Sequence, residues 1–423
     1  MRILVIGGGG REHALAAKLA PEHGVSYIAC APGNPGMRQV AAIEWVDPSD
    51  PDAVLALVER LAIDLTVVGP ELPLDRGVAD RLHRAGRPVF GPTRAAAQLE
   101  CSKVFAKQFM ARHGIPTARY RVCTAMPAAQ EIVASGELGF PVVVKADGLA
   151  AGKGVVVAAD AAEADAAIRA AMEERRFGSA GSRVVIEECL SGPEVSFFAI
   201  CDGERALPLT SAQDHKRIFD DDRGPNTGGM GAFAPSPLVD DDLRSRILHE
   251  IVEPVLRGMR ADGTPYIGFL YAGLMLTCAG PKVIEFNVRF GDPEAQVVMP
   301  LIASDLHPLL AAAADGSLGE NSVAFKPQAS VGVVLASRGY PGEAATGQRI
   351  EGLEDAASTD GVTIFHAGTA MKDNYVVTAG GRVLTVVAVG DDYAQARSRA
   401  YEAAGRVHFD GMQYRRDIGL KAI

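Results

Sequence analysis

The sequence predicts a chain of mixed class, α/β at its N-terminal end and α+β beyond it. Three observations carry this. Short apolar, β-branched runs alternate with helical patterns over the first hundred residues. Two glycine-rich turns follow strands, one opening a helix and the other returning into a strand. From Val195 onward strands succeed one another with few helices between.

Along the N-terminal stretch, Ile3–Ile6 reads as a buried strand, Glu12–Leu19 as a helix and Tyr27–Ala31 as a second strand. Residues 51–61 read as helix, 65–69 as a third strand, 78–85 as helix, and Pro88–Gly91 begins a fourth strand. This is a βαβ pattern with a parallel sheet. A helix over 100–115 ends at Gly114, with Pro116 beyond it. A smaller unit has strands at 140–145 and 154–158 around a glycine turn, a helix at 161–174 and a strand at 183–188. Strands 268–277 and 282–290 pair through a short turn at 279–281. Helices around 293–303 and 306–314 close this region. A last α+β unit has strands at 330–336, 361–367 and 382–390 and a helix from Asp391 to about Val407. The expected divisions are 1–100, 101–325 with a small unit at about 118–190, and 326–423.

The 423 residues suffice for two to four domains at roughly 100–200 residues each. A formal charge of −10 argues against a general nucleic-acid binder. No stretch approaches the ~20 apolar residues of a membrane helix. The six cysteines form no CxxC pair, so a reduced, cytoplasmic thiol set is expected, and no secretory leader is recognised.

GGGGREHAL, from Gly7 to Leu15, invites a dinucleotide reading that fails twice. Glu12 stands where the third glycine belongs, and the second strand ends in Cys30-Ala31 without an acid for a ribose hydroxyl. A phosphate or small polar ligand still suits the free N–H groups of such a turn. VVVKADGLAAGKGVVVA, 142–158, falls one residue short of a Walker loop and ends in Gly154 where a metal-binding hydroxyl belongs. Its β-branched flanks make it strand–loop–strand, a flap that can fold over nucleotide phosphates with Lys145 as a point charge. VVIEECL, 184–190, followed by Glu194, can present backbone groups to an adenine edge and a carboxylate to ribose. Acids at a strand end are also ordinary solvated surface.

In KVIEFNVRFGDPEAQ, 282–296, period two puts Ile284, Phe286, Val288 and Phe290 on one face and Glu285, Asn287 and Arg289 on the other. An acid and an amide oxygen suit Mg²⁺ alongside waters and phosphates, and Arg289 suits a carboxylate or phosphoryl group. The long segment from Gln213 to Pro237 carries Asp214, Lys216 and Arg217. In its Thr227-Gly228-Gly229 run, small residues leave backbone N–H groups to nest a phosphate.

Together with APGNPG, GPELPL, GFLYAGLM, SRGYPG and FHAGT, these motifs resemble the phosphoribosylamine–glycine ligase family of the ATP-grasp superfamily, almost end to end and in its order. The resemblance implies an N-terminal parallel α/β domain, a central ATP-grasp domain with a small mobile lid, and a C-terminal α+β domain. It implies an ADP-forming ligation of glycine to 5-phosphoribosylamine, with ATP as co-substrate and Mg²⁺ or Mn²⁺ as metal. Nucleotide contacts would be Lys103, Lys145, Gly152, Gly154, Glu187, Glu188, Leu190 and Glu194, and metal ligands Glu285 and Asn287. Substrate contacts would be Gly8, Gly9, Arg11, Asn34, Glu71, Thr227, Gly228, Gly229, Asp292 and Pro293, with Arg289, Asp214 and Lys216 as catalytic groups. Val288 and Ala295 replace the cysteine and threonine common in the family. Another ATP-grasp ligase, an NAD-dependent oxidoreductase and a non-catalytic nucleotide sensor are the competing readings.

Overall fold

The computed structural model describes residues 1–149 and 154–423. Its first sheet is parallel, in the order Ala42–Ile43, Tyr27–Pro32, Arg2–Gly7, Leu65–Val68, Val89–Phe90. The two-residue edge strand Ala42–Ile43 was not anticipated, because so short a pairing leaves no periodic signal. Strand order reverses about Arg2–Gly7. The crevice beyond the carboxyl ends of Arg2–Gly7 and Leu65–Val68 is therefore the switch point at which open parallel sheets bind ligands. Gly8, Gly9 and Glu71 lie there.

The helix expected over 100–115 is two helices, Gln98–Cys101 and Lys103–Arg112. Ser102 is extended between them, and its hydroxyl accepts from the Phe105 N–H at 3.1 Å, capping the second helix. The small unit is an antiparallel sheet ordered Tyr120–Cys123, Val184–Glu188, Val142–Ala146, Val155–Ala158. Helices Met126–Ser135 and Ala161–Met172 bury Ala129, Val133, Ala164 and Ile168 against it. Strand 120–123 and helix 126–135 escaped the sequence reading, although Pro127 near the helix start and Gly136 after its end mark that helix.

The central sheet is ordered Ala206–Pro208, Glu194–Asp202, Ile267–Thr277, Gly280–Asn287. Its last pair departs from strict alternation. Gly273 opposes Glu285 and Leu274 opposes Val283, so Ile284 is a bulge residue without a partner. Ile284 therefore leaves the core face assigned to it, and Val283 is the buried residue. Phe286, Val288 and Phe290 are buried as expected.

The C-terminal sheet is antiparallel, in the order Gln213–Asp214, Gly231–Ala234, Ala329–Ala336, Arg382–Gly390, Val362–His366. Its first two strands come from the long polar segment, so the last sheet takes strands from both sides of residue 326. The helix Tyr393–Ala404, capped by Asp392, covers it with Ala396, Ala400 and Ala403. Among the described residues no helix is long and apolar enough to cross a membrane.

Candidate active site

The site lies between the parallel sheet, the small antiparallel sheet and the outward face of Gly280–Asn287. Lys145 is the penultimate residue of strand Val142–Ala146 and is buried. Its ammonium lies 3.1 Å from Glu187 Oε1 and donates to the Ile284 carbonyl at 3.1 Å. That carbonyl belongs to the bulge residue. The other oxygen of Glu187 lies 2.8 Å from Lys107, which also donates to Thr117 Oγ1 at 2.7 Å. Burial lowers the Lys107 ammonium to about 8 against the pull of Glu187. Lys107 was missed by the sequence reading. It lies four residues after Lys103, one helical turn along, and that spacing was the available signal.

Lys103 opens its helix and donates to the Gly148 carbonyl at 3.0 Å. Burial is the foremost cause of its lowered pKa. Glu188 is engaged by Arg119 at 2.7 Å and Lys282 at 3.6 Å, so its side chain is occupied within the protein. Leu190 lies in the hinge between Val184–Glu188 and Glu194–Asp202. The Gly154 carbonyl accepts from the Ala146 N–H at 2.8 Å, and Gly152 lies outside the described residues.

Lys216 lies 3.0 Å from Glu194 and 4.0 Å from Glu285. Desolvation within the cleft would raise the pKa of the half-exposed Glu285, but Lys216, Lys145 and Lys103 outweigh it and hold the carboxyl below its usual value. Among the described residues no group of three or more His, Cys, Asp or Glu is placed to hold a metal. The donors present are one ionised carboxylate and the Asn287 amide oxygen on one strand face. They fit a hard divalent cation that draws its remaining ligands from water and phosphates. Burial raises the Asp214 pKa, opposed by Lys216 and reinforced by Glu294, Glu194 and Glu285.

Arg289 is gripped by Glu100 at 2.9 Å and Glu71 at 3.2 Å, and it donates to the Phe290 carbonyl at 3.1 Å. Burial opposes its charge, but Glu100 and Glu71 keep the guanidinium firmly protonated. Burial pushes the Glu100 carboxyl up to about 7 despite Arg289, and the Val288 N–H binds its second oxygen at 2.7 Å. Glu100 was not among the sequence candidates.

At the switch point the Gly9 N–H donates to Glu12 Oε2 at 2.7 Å, while Arg11 pairs with Glu12 and donates to the Phe290 carbonyl at 3.3 Å. Asn34 is fully committed as a donor, giving its amide to Gly8 O at 3.0 Å and His366 O at 2.8 Å. Its side chain ties the first turn to the C-terminal sheet.

The expected nest at 228–229 needs correcting. The Gly228 N–H is bound by the Tyr340 hydroxyl at 2.9 Å and the Gly229 N–H by Thr227 Oγ1 at 2.9 Å, so neither is open to a phosphate. Gly229 sits at φ +110, and a Cβ there would lie 2.5 Å from Pro293 Cδ. Asp292 pairs with Arg382 at 3.1 Å and accepts from Gln296 at 2.7 Å. Arg382 and Tyr340 lie far off in sequence, and although SRGYPG contains Tyr340, nothing local tied either residue to this loop.

This fold and site define an ATP-grasp ligase. Family models for phosphoribosylglycinamide synthetase match throughout: the N domain over 1–100, the ATP-grasp (A) domain over 101–295 and the C domain over 330–421. The chain belongs to the phosphoribosylglycinamide synthetase family. It is 53% identical over 427 residues to the phosphoribosylamine–glycine ligase of Xanthomonas axonopodis pv. citri, covering 100% of this chain and 98% of that one. The crystal structure of the enzyme of that name from Thermotoga maritima superposes with TM-score 0.84 at 34% identity, covering 99% and 100% of the two chains. A biotin carboxylase from Campylobacter jejuni shares the fold alone, with TM-score 0.73 at 17% identity over 99% and 94%.

Proposed function

We propose that this chain ligates glycine to 5-phosphoribosylamine, converting ATP to ADP and phosphate, as the relatives' name describes. The observation that carries the reading is the placing of Glu285, Asn287 and Arg289 between a lysine-lined cleft and the parallel sheet's switch point. The chemistry needs these two neighbourhoods side by side. A carboxylate is a poor electrophile for an amine, so glycine first takes the γ-phosphoryl group to give glycyl phosphate and ADP. The sugar amine nitrogen then attacks the carbonyl carbon. The C–N bond forms, the C–O bond to phosphate breaks, and the nitrogen loses a proton.

In this reading Lys103 and Lys145 neutralise nucleotide phosphates, and the 187–190 hinge meets adenine through its backbone. Glu194 accepts from ribose once Lys216 releases it. Mg²⁺ or Mn²⁺ held by Glu285 and Asn287 supplies charge neutralisation for the phosphates. Arg289 has guanidinium N–H groups left for a carboxylate or acyl phosphate. Asp214 and Lys216 sit beside that acceptor. The sugar amine lies toward Gly8–Arg11, Glu71, Asp292 and Pro293, with Thr227–Gly229 shaping its wall and Asn34 holding the first turn. The lid, about 118–190, closes over the nucleotide and excludes water from the acyl phosphate. The domains are 1–100, 101–325 and 326–423, the partners are small molecules only, and the location is the cytoplasm.

The test is ADP release with amine and carboxylate varied independently. Turnover with glycine plus phosphoribosylamine, and with no other pair, supports the reading. Equal turnover with another carboxylate or amine assigns the chain a different ligation.

A further inference from the structure

Two residues of the C-terminal unit reach the sugar-amine side of the site, and the chemistry above gives them no task. Arg382 Nη1 donates to the Gly228 carbonyl at 2.7 Å and to the Asp292 carbonyl at 2.6 Å, while Nη2 lies 3.1 Å from the Asp292 carboxylate. Tyr340, from the SRGYPG segment, takes the other side of the same peptide region through the Gly228 N–H. Gly381 makes room for the ring, since a Cβ there would lie 2.2 Å from Tyr340 Cδ2. One guanidinium thus spans two loops 64 residues apart, 227–229 and 291–293, and a hydroxyl fixes the angle of the first.

We propose that Arg382 and Tyr340 are positioning residues that set the width of the sugar-amine subsite by clamping the Gly228 peptide against the Asp292–Pro293 turn. Neither needs to touch substrate. The bridge is local to that wall: none of its contacts involves Lys103, Lys145, Glu187 or Glu285, so nucleotide binding does not depend on it. A charge-assisted donor to two carbonyls is a strong tie, and its loss leaves both loops free to spread.

The proposal rests on the function proposed above, and the experiment separates the two. Full-length wild-type, Arg382→Ala, Arg382→Lys, Tyr340→Phe and Arg382→Ala/Tyr340→Phe proteins are assayed for ADP release, with phosphoribosylamine generated from ribose 5-phosphate and ammonia. Absence of wild-type turnover defeats the functional reading. Given wild-type turnover, Arg382→Ala should raise KM for phosphoribosylamine about tenfold or more while KM for ATP stays within about twofold. Arg382→Lys should recover part of the loss, and the double variant should fall short of the product of the single effects, because both act on Gly228. Equal rises in both KM values, or a loss confined to thermal midpoint, overturns the proposal. If Arg382→Ala does not fold, Tyr340→Phe, which removes one oxygen, carries the same KM comparison alone.

Discussion

Lys145 donates to the carbonyl oxygen of Ile284 across 139 residues, at 3.1 Å. The bulge at Ile284 leaves that carbonyl outside the sheet ladder, so one irregularity docks the lid strand on the strand bearing Glu285. Lys145 therefore has two anchors, this carbonyl and Glu187, and it shares the second with Lys107.

Lys107→Met should expose this sharing. With Lys107 gone, Lys145 becomes the sole counter-ion of Glu187 and is drawn from its phosphate-facing position. The variant leaves a matched Lys145–Glu187 pair, and losing the Lys107 contacts to Glu187 and Thr117 should cost about 1–3 kcal/mol. KM for ATP should rise on the order of tenfold. Adding Glu187→Gln should deepen the stability loss, as read by urea midpoints, because Lys145 is then buried without its carboxylate partner. Strictly additive losses would show that the three groups are not coupled.

Glu285→Gln should abolish turnover and leave the fold intact. The side chain is half-exposed on an outward strand face, so its packing contribution is small. Its charge is what the surrounding lysines and a divalent cation require. Near-normal ADP release at saturating Mg²⁺ would defeat the metal assignment, and an unchanged melting temperature checks that the loss is chemical.

Gly229→Ala should destabilise the protein by about 1–3 kcal/mol, because φ +110 is a left-handed conformation and the new methyl meets Pro293. Since the Gly229 N–H already serves Thr227, the effect is steric and does not remove an anion contact. Inorganic phosphate should therefore protect wild-type and variant against urea to the same degree. Protection lost only in the variant would restore the nest.

Acid should destabilise the protein through three buried histidines. Burial, with His366 beside it, lowers His13 to about 3, and burial lowers His366 and His215 to about 4. Their native pKa values lie below the unfolded value of about 6.5, so the unfolded chain takes protons first. Stability is full above pH 6.5 and falls as pH drops toward 4 and then 3. Between pH 6.5 and 5 the loss should be on the order of 1 kcal/mol per histidine. His13→Gln, which keeps an acceptor for the His366 N–H, should flatten the fall in urea midpoint over that window. An unchanged slope would exclude His13 as a contributor.

What the sequence disclosed followed the range of the interactions concerned. Alternation over 282–290 located Glu285, Asn287 and Arg289, since the face of a strand is written in neighbouring residues. The bulge was invisible because it is decided by Gly273 on the opposing strand. The nest at 228–229 looked open because a run of small residues says nothing of a hydroxyl at position 340. Lys107 was legible as a second lysine one turn beyond Lys103. Glu100 and Arg382 were not, because their roles depend on partners 189 and 90 residues away, Arg289 and Asp292.

The strand Gly231–Ala234 is wholly buried between Gln213–Asp214 and Ala329–Ala336. On the ribosome it emerges nearly a hundred residues ahead of the strand that covers it. At 5–20 residues per second, an apolar edge stays open for about 5–20 seconds of synthesis. The nascent chain thus carries an unpaired sticky edge until its last quarter is made. Severing the chain near 326 would leave that edge open permanently, so the two fragments should be insoluble apart and should regain activity only when produced together.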